Sequence, residues 1–195
     1  MNITVIVRTL TPLADAFDWF SMPYHLSGSL AIQVYGKPRT VQGIEVVADI
    51  KFSQVQILVS RLEQTYDVKE VAMREAIEHR GSFRLVHHGT LQKIEVFLPF
   101  YRAHSQVEQG RVQRHALEQG SRPFSIASPE DTILTLLERY KAGRQRFQRL
   151  WEATVEILAV QRSTLDLAYL RLWATPLDVA HLLEQALATV DLGKA

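Results

Sequence analysis

The chain has no cysteine. Disulfides, thiolate metal sites and cysteine nucleophiles are therefore excluded, and a reducing compartment fits. It also lacks any apolar run long enough to cross a bilayer. The opening stretch, MNITVIVRTLTPLADAFDWF, is broken by Arg8, Pro12, Asp15 and Asp18, and it lacks the layout of a signal peptide. The expectation is a cytoplasmic protein with no membrane partner. Charge of one sign is not in excess: 22 Lys and Arg face 21 Asp and Glu, for a formal net charge of +1. No strong global field follows, so nucleic-acid binding would need a local basic patch. Internal repeats, low-complexity segments, a Gly-x-Ser-x-Gly elbow, a P-loop and a dinucleotide fingerprint are all missing. What is present is 195 residues, 47% of them hydrophobic. That is enough for one well-formed core with a helical appendage.

The first two thirds mix both periodicities. Leu13, Phe17 and Phe20 share a helical face, predicting a helix over 10–20 that Pro23 stops. A short strand over 24–26 follows. Gly28 and Ser29 then open a helix that ends at Gly36. The β-rich run 43–50 predicts a core strand. Helical spacing predicts a helix over 54–64 and another over 69–79, with a short strand at 66–68 between them. Two alternating strands come next, 82–88 and 91–97, turning at Gly89-Thr90. Glu95 falls in mid-strand, opposite its apolar neighbours. The polar segment 103–120 is ambiguous, with strand pairing over 112–117 preferred.

After Ser128 the pattern is helical almost throughout. Ser128-Pro129-Glu130-Asp131 is a helix start: Ser as cap, Pro at the first helical position, acids in the first turn. Four apolar stripes follow, anchored by Ile133 and Tyr140, Trp151 and Ile157, Leu170 and Trp173, and Leu182 and Leu187. The expected fold class is α+β: a mixed β-sheet with flanking helices over 1–127, then a C-terminal helical bundle over 128–195 packed on it.

In this order and spacing the chain resembles the nucleotidyltransferase superfamily, in the branch of small bacterial proteins that includes abortive-infection-type toxins. YHLSGSLAIQVYG is similar to that group's strand, Gly-Ser turn and helix. KPRTVQGIEVVADI resembles the segment that carries its Asp-x-Asp strand. FRLVHHGTLQKIEVFLPF resembles the strand pair holding its third carboxylate. SPEDTILTLLERY and LDLAYLRLWA resemble the bundle, so the likeness spans 22–187. The resemblance implies a fold built to position a nucleoside triphosphate and neutralise its transferring phosphoryl group. In active relatives two divalent ions do this, held by three carboxylates on neighbouring strands.

The resemblance implies a role for a few residues, and here the chain departs from it. Gly28 and Ser29 match the phosphate-gripping pair, with backbone N–H groups and a hydroxyl at a helix N-terminus. Arg39 matches the arginine before the acidic strand. Gly43 stands where the first carboxylate belongs, Glu45 where the second does, and Glu95 where the third does. Glycine has no side chain to ligate with. Glutamate is one methylene longer than aspartate, and Mg2+ tolerates displaced ligands poorly. Leu136 replaces a lysine common in relatives, and Glu152-Ala153 an Arg-Asp pair. The expectation is a catalytically weak or inactive binding or regulatory module. One alternative is an active, divergent enzyme moving a nucleotidyl group from an NTP to an unknown acceptor, with Glu45 and Glu95 as catalytic metal ligands. Mg2+ and NTP are implied as cofactors only in that case. The other is an interaction protein, an antitoxin-like partner or a homodimer, using Trp151, Trp173 and the bundle's leucines.

Each residue also has a plainer reading. Gly28-Ser29 could be a tight strand-to-helix turn, Glu45 and Glu95 salt-bridge partners, and Arg39 a surface arginine. His87 and His88 are adjacent in a strand, so they face opposite ways and cannot easily share an ion. Arg74 and His79 match an Arg-x4-His spacing by coincidence. The basic stretch Lys141, Arg144, Arg146 and Arg149 reads as a solvated helix face.

Overall fold

A computed structural model describes residues 1–100, 102–143 and 147–192. Arg144 and Arg146, part of the basic stretch, lie outside the described residues. The chain divides into two compact units, one of residues 1–30 and 40–127, the other of 31–39 and 128–195. Residues 31–39 thus group with the helices and not, as their place in the sequence suggests, with the sheet.

The first unit begins with α1 (Ile3–Trp19) and β1 (Tyr24–Ser27), and α2 (Gly28–Tyr35) starts within it. Then come β2 (Ile44–Ala48), α3 (Val55–Leu62), β3 (Tyr66–Asp67), α4 (Glu70–His79), β4 (Ser82–His87) and β5 (Lys93–Phe97). It closes with α5 (Ala103–Gly110), β6 (Gln113–Ala116) and β7 (Pro123–Ile126). The strands form one mixed sheet in the order β3-β4-β5-β2-β1-β7-β6. β2 and β5 run parallel, as do β1 and β7, and the remaining neighbours are antiparallel.

α1 starts seven residues earlier than the spacing predicts, because Asn2 caps it by accepting the Thr4 N–H at 2.8 Å. Pro12 sits inside the helix without breaking it. The Tyr66 hydroxyl bridges the interrupted ladder, accepting from Leu13 N–H at 3.0 Å and donating to the Thr9 carbonyl at 2.7 Å. Inserting a side chain this way satisfies the backbone groups that a proline turn exposes. Leu10, Leu13, Ala14 and Phe17 then pack against Tyr24, Leu26, Val46 and Phe124 of the sheet. All are buried, and each large apolar side chain so buried contributes roughly 1.5–3 kcal/mol. The ambiguous segment resolves into the helix α5 followed by the strand β6, and β7 is an additional strand.

In the second unit, α6 (Pro129–Ala142) is followed by α7 (Gln148–Gln161), α8 (Leu167–Ala174) and α9 (Ala180–Leu192). Ser128 caps α6 by accepting the Asp131 N–H at 3.0 Å. Glu130 and Asp131 are buried yet satisfied. Asp131 accepts from the Ser128 hydroxyl at 2.5 Å and the Tyr169 hydroxyl at 2.6 Å. Glu130 accepts the Asp166 N–H at 2.9 Å, and Asp166 in turn caps α8. Burial, then Glu130 and Asp131, pushes the Tyr35 hydroxyl well above its usual range. Among the described residues, no helix is long and apolar enough to cross a membrane.

Candidate functional site

The sheet of the first unit has two unlike faces. Ile44, Val46 and Ala48 of β2 and Ile94 and Val96 of β5 are buried, while the intervening Glu45, Val47, Glu95 and Phe97 are half-buried. Period-2 alternation sets Glu45 and Glu95 on this second face. The parallel pairing of β2 with β5 puts them directly abreast, Glu45 opposite Glu95. Neighbouring strands lie about 4.8 Å apart, so two acids are brought together where the sequence motifs place them.

Their carboxylates are nevertheless differently engaged. Glu95 faces β4, where it pairs with Arg84 in register. One of its oxygens accepts from the Ser82 hydroxyl at 2.6 Å and the other from Arg84 Nε at 3.2 Å. Glu45 is in register with Ser27, the last residue of β1. Its carboxylate lies against Gly28, the first residue of α2. A Cβ built on Gly28 would stand 2.6 Å from the Glu45 Cδ and Oε2 and 2.8 Å from Oε1. Gly28 also has a φ of +59°, which side chains other than glycine's adopt at a cost.

Ser29 is committed locally. Its hydroxyl donates to the Gly43 carbonyl at 2.8 Å, tying the start of α2 to the residue before β2. Gly43 itself is unconstrained, since a Cβ there would meet nothing within 4 Å. A side chain at this position therefore has open space at its first carbon. Arg39 groups with the second unit, where it donates to Glu156 Oε2 at 2.5 Å while the Lys37 N–H donates to the other carboxylate oxygen at 2.6 Å.

Among the described residues, no three or more His, Asp or Glu side chains gather as a metal site. Two abreast glutamates, one of them already bound by an arginine, are fewer ligands than a two-ion centre uses. His87 is buried, with Nδ1 3.0 Å from the Thr90 nitrogen, whereas His88 is exposed. Arg74 pairs with Glu70 within α4, and His79 lies 3.0 Å from the Glu75 carbonyl.

The same polar face holds a pair that the motifs did not flag. His25, two residues before Ser27 on β1, is buried with Nε2 3.3 Å from Glu108 Oε1 of α5. Its signal was hidden because 103–110 carries too little apolar periodicity to read as a helix.

Solved structures of the same architecture exist. The crystal structure of an antigenic nucleotidyltransferase-like protein from Paracoccidioides brasiliensis aligns with 93% of this chain and 91% of its own, at a TM-score of 0.54 and 15% identity. The crystal structure of ANT(2'')-Ia in complex with adenylyl-2''-tobramycin aligns with 90% of this chain and 96% of its own, at 0.56 and 13%. The solution structure of the same antibiotic-resistance factor aligns with 99% and 98%, at 0.55 and 13%. No protein-family model matches the chain, and no curated protein sequence does. The chain has the nucleotidyltransferase fold, in the α+β form that its motifs imply.

Proposed function

We propose that this chain is a nucleotidyltransferase-fold protein that has lost efficient nucleotidyl transfer and acts as a binding or regulatory module, in the cytoplasm. The observation that carries the reading is the carboxylate set on the open sheet face. Gly43 brings no ligand, and Glu95 is held by Ser82 and Arg84. Phosphoryl chemistry of this kind depends on positioning and charge neutralisation, so a site without its cations forfeits most of the rate. What remains of the fold is a polar sheet face beside a helix N-terminus. Binding a nucleotide there, weakly, is part of the proposal.

The test is transfer itself. The protein is incubated with Mg2+ or Mn2+, each of the four NTPs labelled at the α-phosphate, and panels of hydroxylated small molecules, tRNA and protein acceptors. No labelled product above buffer is expected. Transfer at an enzymatic rate that Glu45→Gln and Glu95→Gln abolish would establish instead the active reading, with Mg2+ and NTP as cofactors.

A second reading, a homodimer or an antitoxin-like partner protein, draws support from large apolar side chains exposed on the second unit. Phe147, Val160, Leu167 and Leu172 are all open to solvent, whereas Trp151 and Trp173 are half-buried beside Tyr140 and Tyr169. Sedimentation of the protein alone and with the products of neighbouring genes checks it; a strict monomer that captures none of them defeats it.

A further inference from the structure

We infer that the second unit carries a site for a small branched carboxylate, in a cavity between α7, α8 and α9. The site shares no residue with the sheet face described above, and the inference does not rest on the proposed function.

The cavity has a volume of about 120 Å³ and an apolar floor: Leu158 and Val190 are buried there, Leu165 and Leu187 half-buried. An apolar hollow stays dry, and one of about 150 Å³ holds a benzene ring. This cavity therefore suits a branched group of roughly four or five carbons. It is far below the roughly 300–1,000 Å³ of a pocket for a larger ligand, so a nucleotide is not its occupant. Its wall between α7 and α8 is pinned. The Asp166 N–H donates to the buried Glu130 carboxylate at 2.9 Å, and the Asp166 carboxylate accepts the Tyr169 N–H at 2.9 Å. Leu165 and Leu167 flank Asp166 and line the cavity, so closing it with either one pulls on a hydrogen bond to a buried acid.

The mouth supplies the charge. Arg162, Arg171 and Asp191 also line the cavity, and all three are exposed, which sets them at its opening. Arg171 engages Glu184 through Nε and Nη2, and Arg162 reaches Asp191 through Nη2. A guanidinium carries more N–H donors than these pairs use, and a carboxylate is the planar acceptor that fits them. Two cations against one acid in the lining favour an anionic head over a cationic one. The floor thus selects the ligand's body and the two arginines its head.

The experiment titrates the full-length protein with isovalerate, which has both parts, and with isoamyl alcohol and acetate, which have one each. Calorimetry gives the affinity, melting gives the linked rise in Tm, and methyl resonances report on Leu187 and Val190. Isovalerate is expected to saturate, to raise Tm and to shift both sets of methyl signals, and each comparison ligand should bind at least roughly tenfold more weakly. Arg162→Gln and Arg171→Gln should each weaken isovalerate several-fold and leave isoamyl alcohol unchanged. Lys69→Gln, an exposed lysine of the first unit, should change neither. No saturable binding of isovalerate would overturn the inference, and that result needs no variant to fold. So would acetate or the alcohol binding as tightly as isovalerate, methyl shifts that spare Leu187 and Val190, or arginine variants that bind like wild type. A loss in Lys69→Gln equal to theirs would overturn it too, because the effect would then be one of net charge.

Discussion

The Tyr66 hydroxyl spans the gap that Pro12 opens in α1, so its loss leaves the Thr9 carbonyl and the Leu13 N–H facing an apolar interior. Tyr66→Phe should cost about 1–3 kcal/mol, seen as a fall of several degrees in Tm; a change within the error of the melt would show that the helix satisfies those groups otherwise. His87 offers a pH test. Burial first, then Arg8 and His88, holds its imidazole below the usual value, so the folded protein resists a proton that the unfolded chain accepts. Stability should therefore fall as pH drops below about 6.5. In His87→Gln this slope between neutral and mildly acidic pH should be shallower than in wild type, and an identical slope would exonerate the residue. At Gly28, alanine meets both a left-handed backbone and the Glu45 carboxylate. The backbone alone should cost roughly 1–2 kcal/mol, read by chemical denaturation.

Among the elements, α6 carries its own anchors. Ser128→Ala removes the cap and also the hydroxyl's donation to the buried Asp131 carboxylate, and should cost about 2.5–4 kcal/mol; Tyr169→Phe withdraws the other hydroxyl donor from that carboxylate and should cost about 1.5–3 kcal/mol. Both are measurable by urea unfolding, and a Tyr169→Phe change within the error of the transition would mean that the buried acid does not depend on this bond. How well each element could be read from sequence follows from the same physics. The start of α6 was legible because Ser, Pro and two acids stand in fixed positions. The alternation in 82–87 and 93–97 was legible because one face of the sheet is buried and the other is not. By contrast, α5 buries a histidine and a serine instead of an apolar stripe, and β7 is four residues with no alternation to betray it. The first half of α1 was hidden by Pro12, whose tolerance depends on a tyrosine more than fifty positions away.

On the scale of the whole molecule, the nucleotidyltransferase fold was legible from the order of weak motifs, each of which is a local turn or strand. The candidate site was legible only in part. Which acids share a face follows from strand periodicity, so Glu45 and Glu95 could be paired on paper. Where their carboxylates go does not, because that depends on non-local register: Arg84 opposite Glu95, and Ser27 opposite Glu45. Register also indicates how the site could be rebuilt. Gly43 has room for a side chain, and aspartate at 45 would draw the carboxylate back from Gly28. A Gly43→Asp, Glu45→Asp double variant should fold and bind Mn2+ more tightly than wild type, measured by electron paramagnetic resonance of the free ion; equal binding would place the defect elsewhere.

The claim that the open sheet face lacks a competent ion site is tested most directly by crystals grown with Mn2+ and a non-hydrolysable NTP analogue, read by anomalous scattering. No anomalous peak is expected between Glu45 and Glu95. A well-occupied pair of ions there, bridged to the triphosphate, would contradict the account.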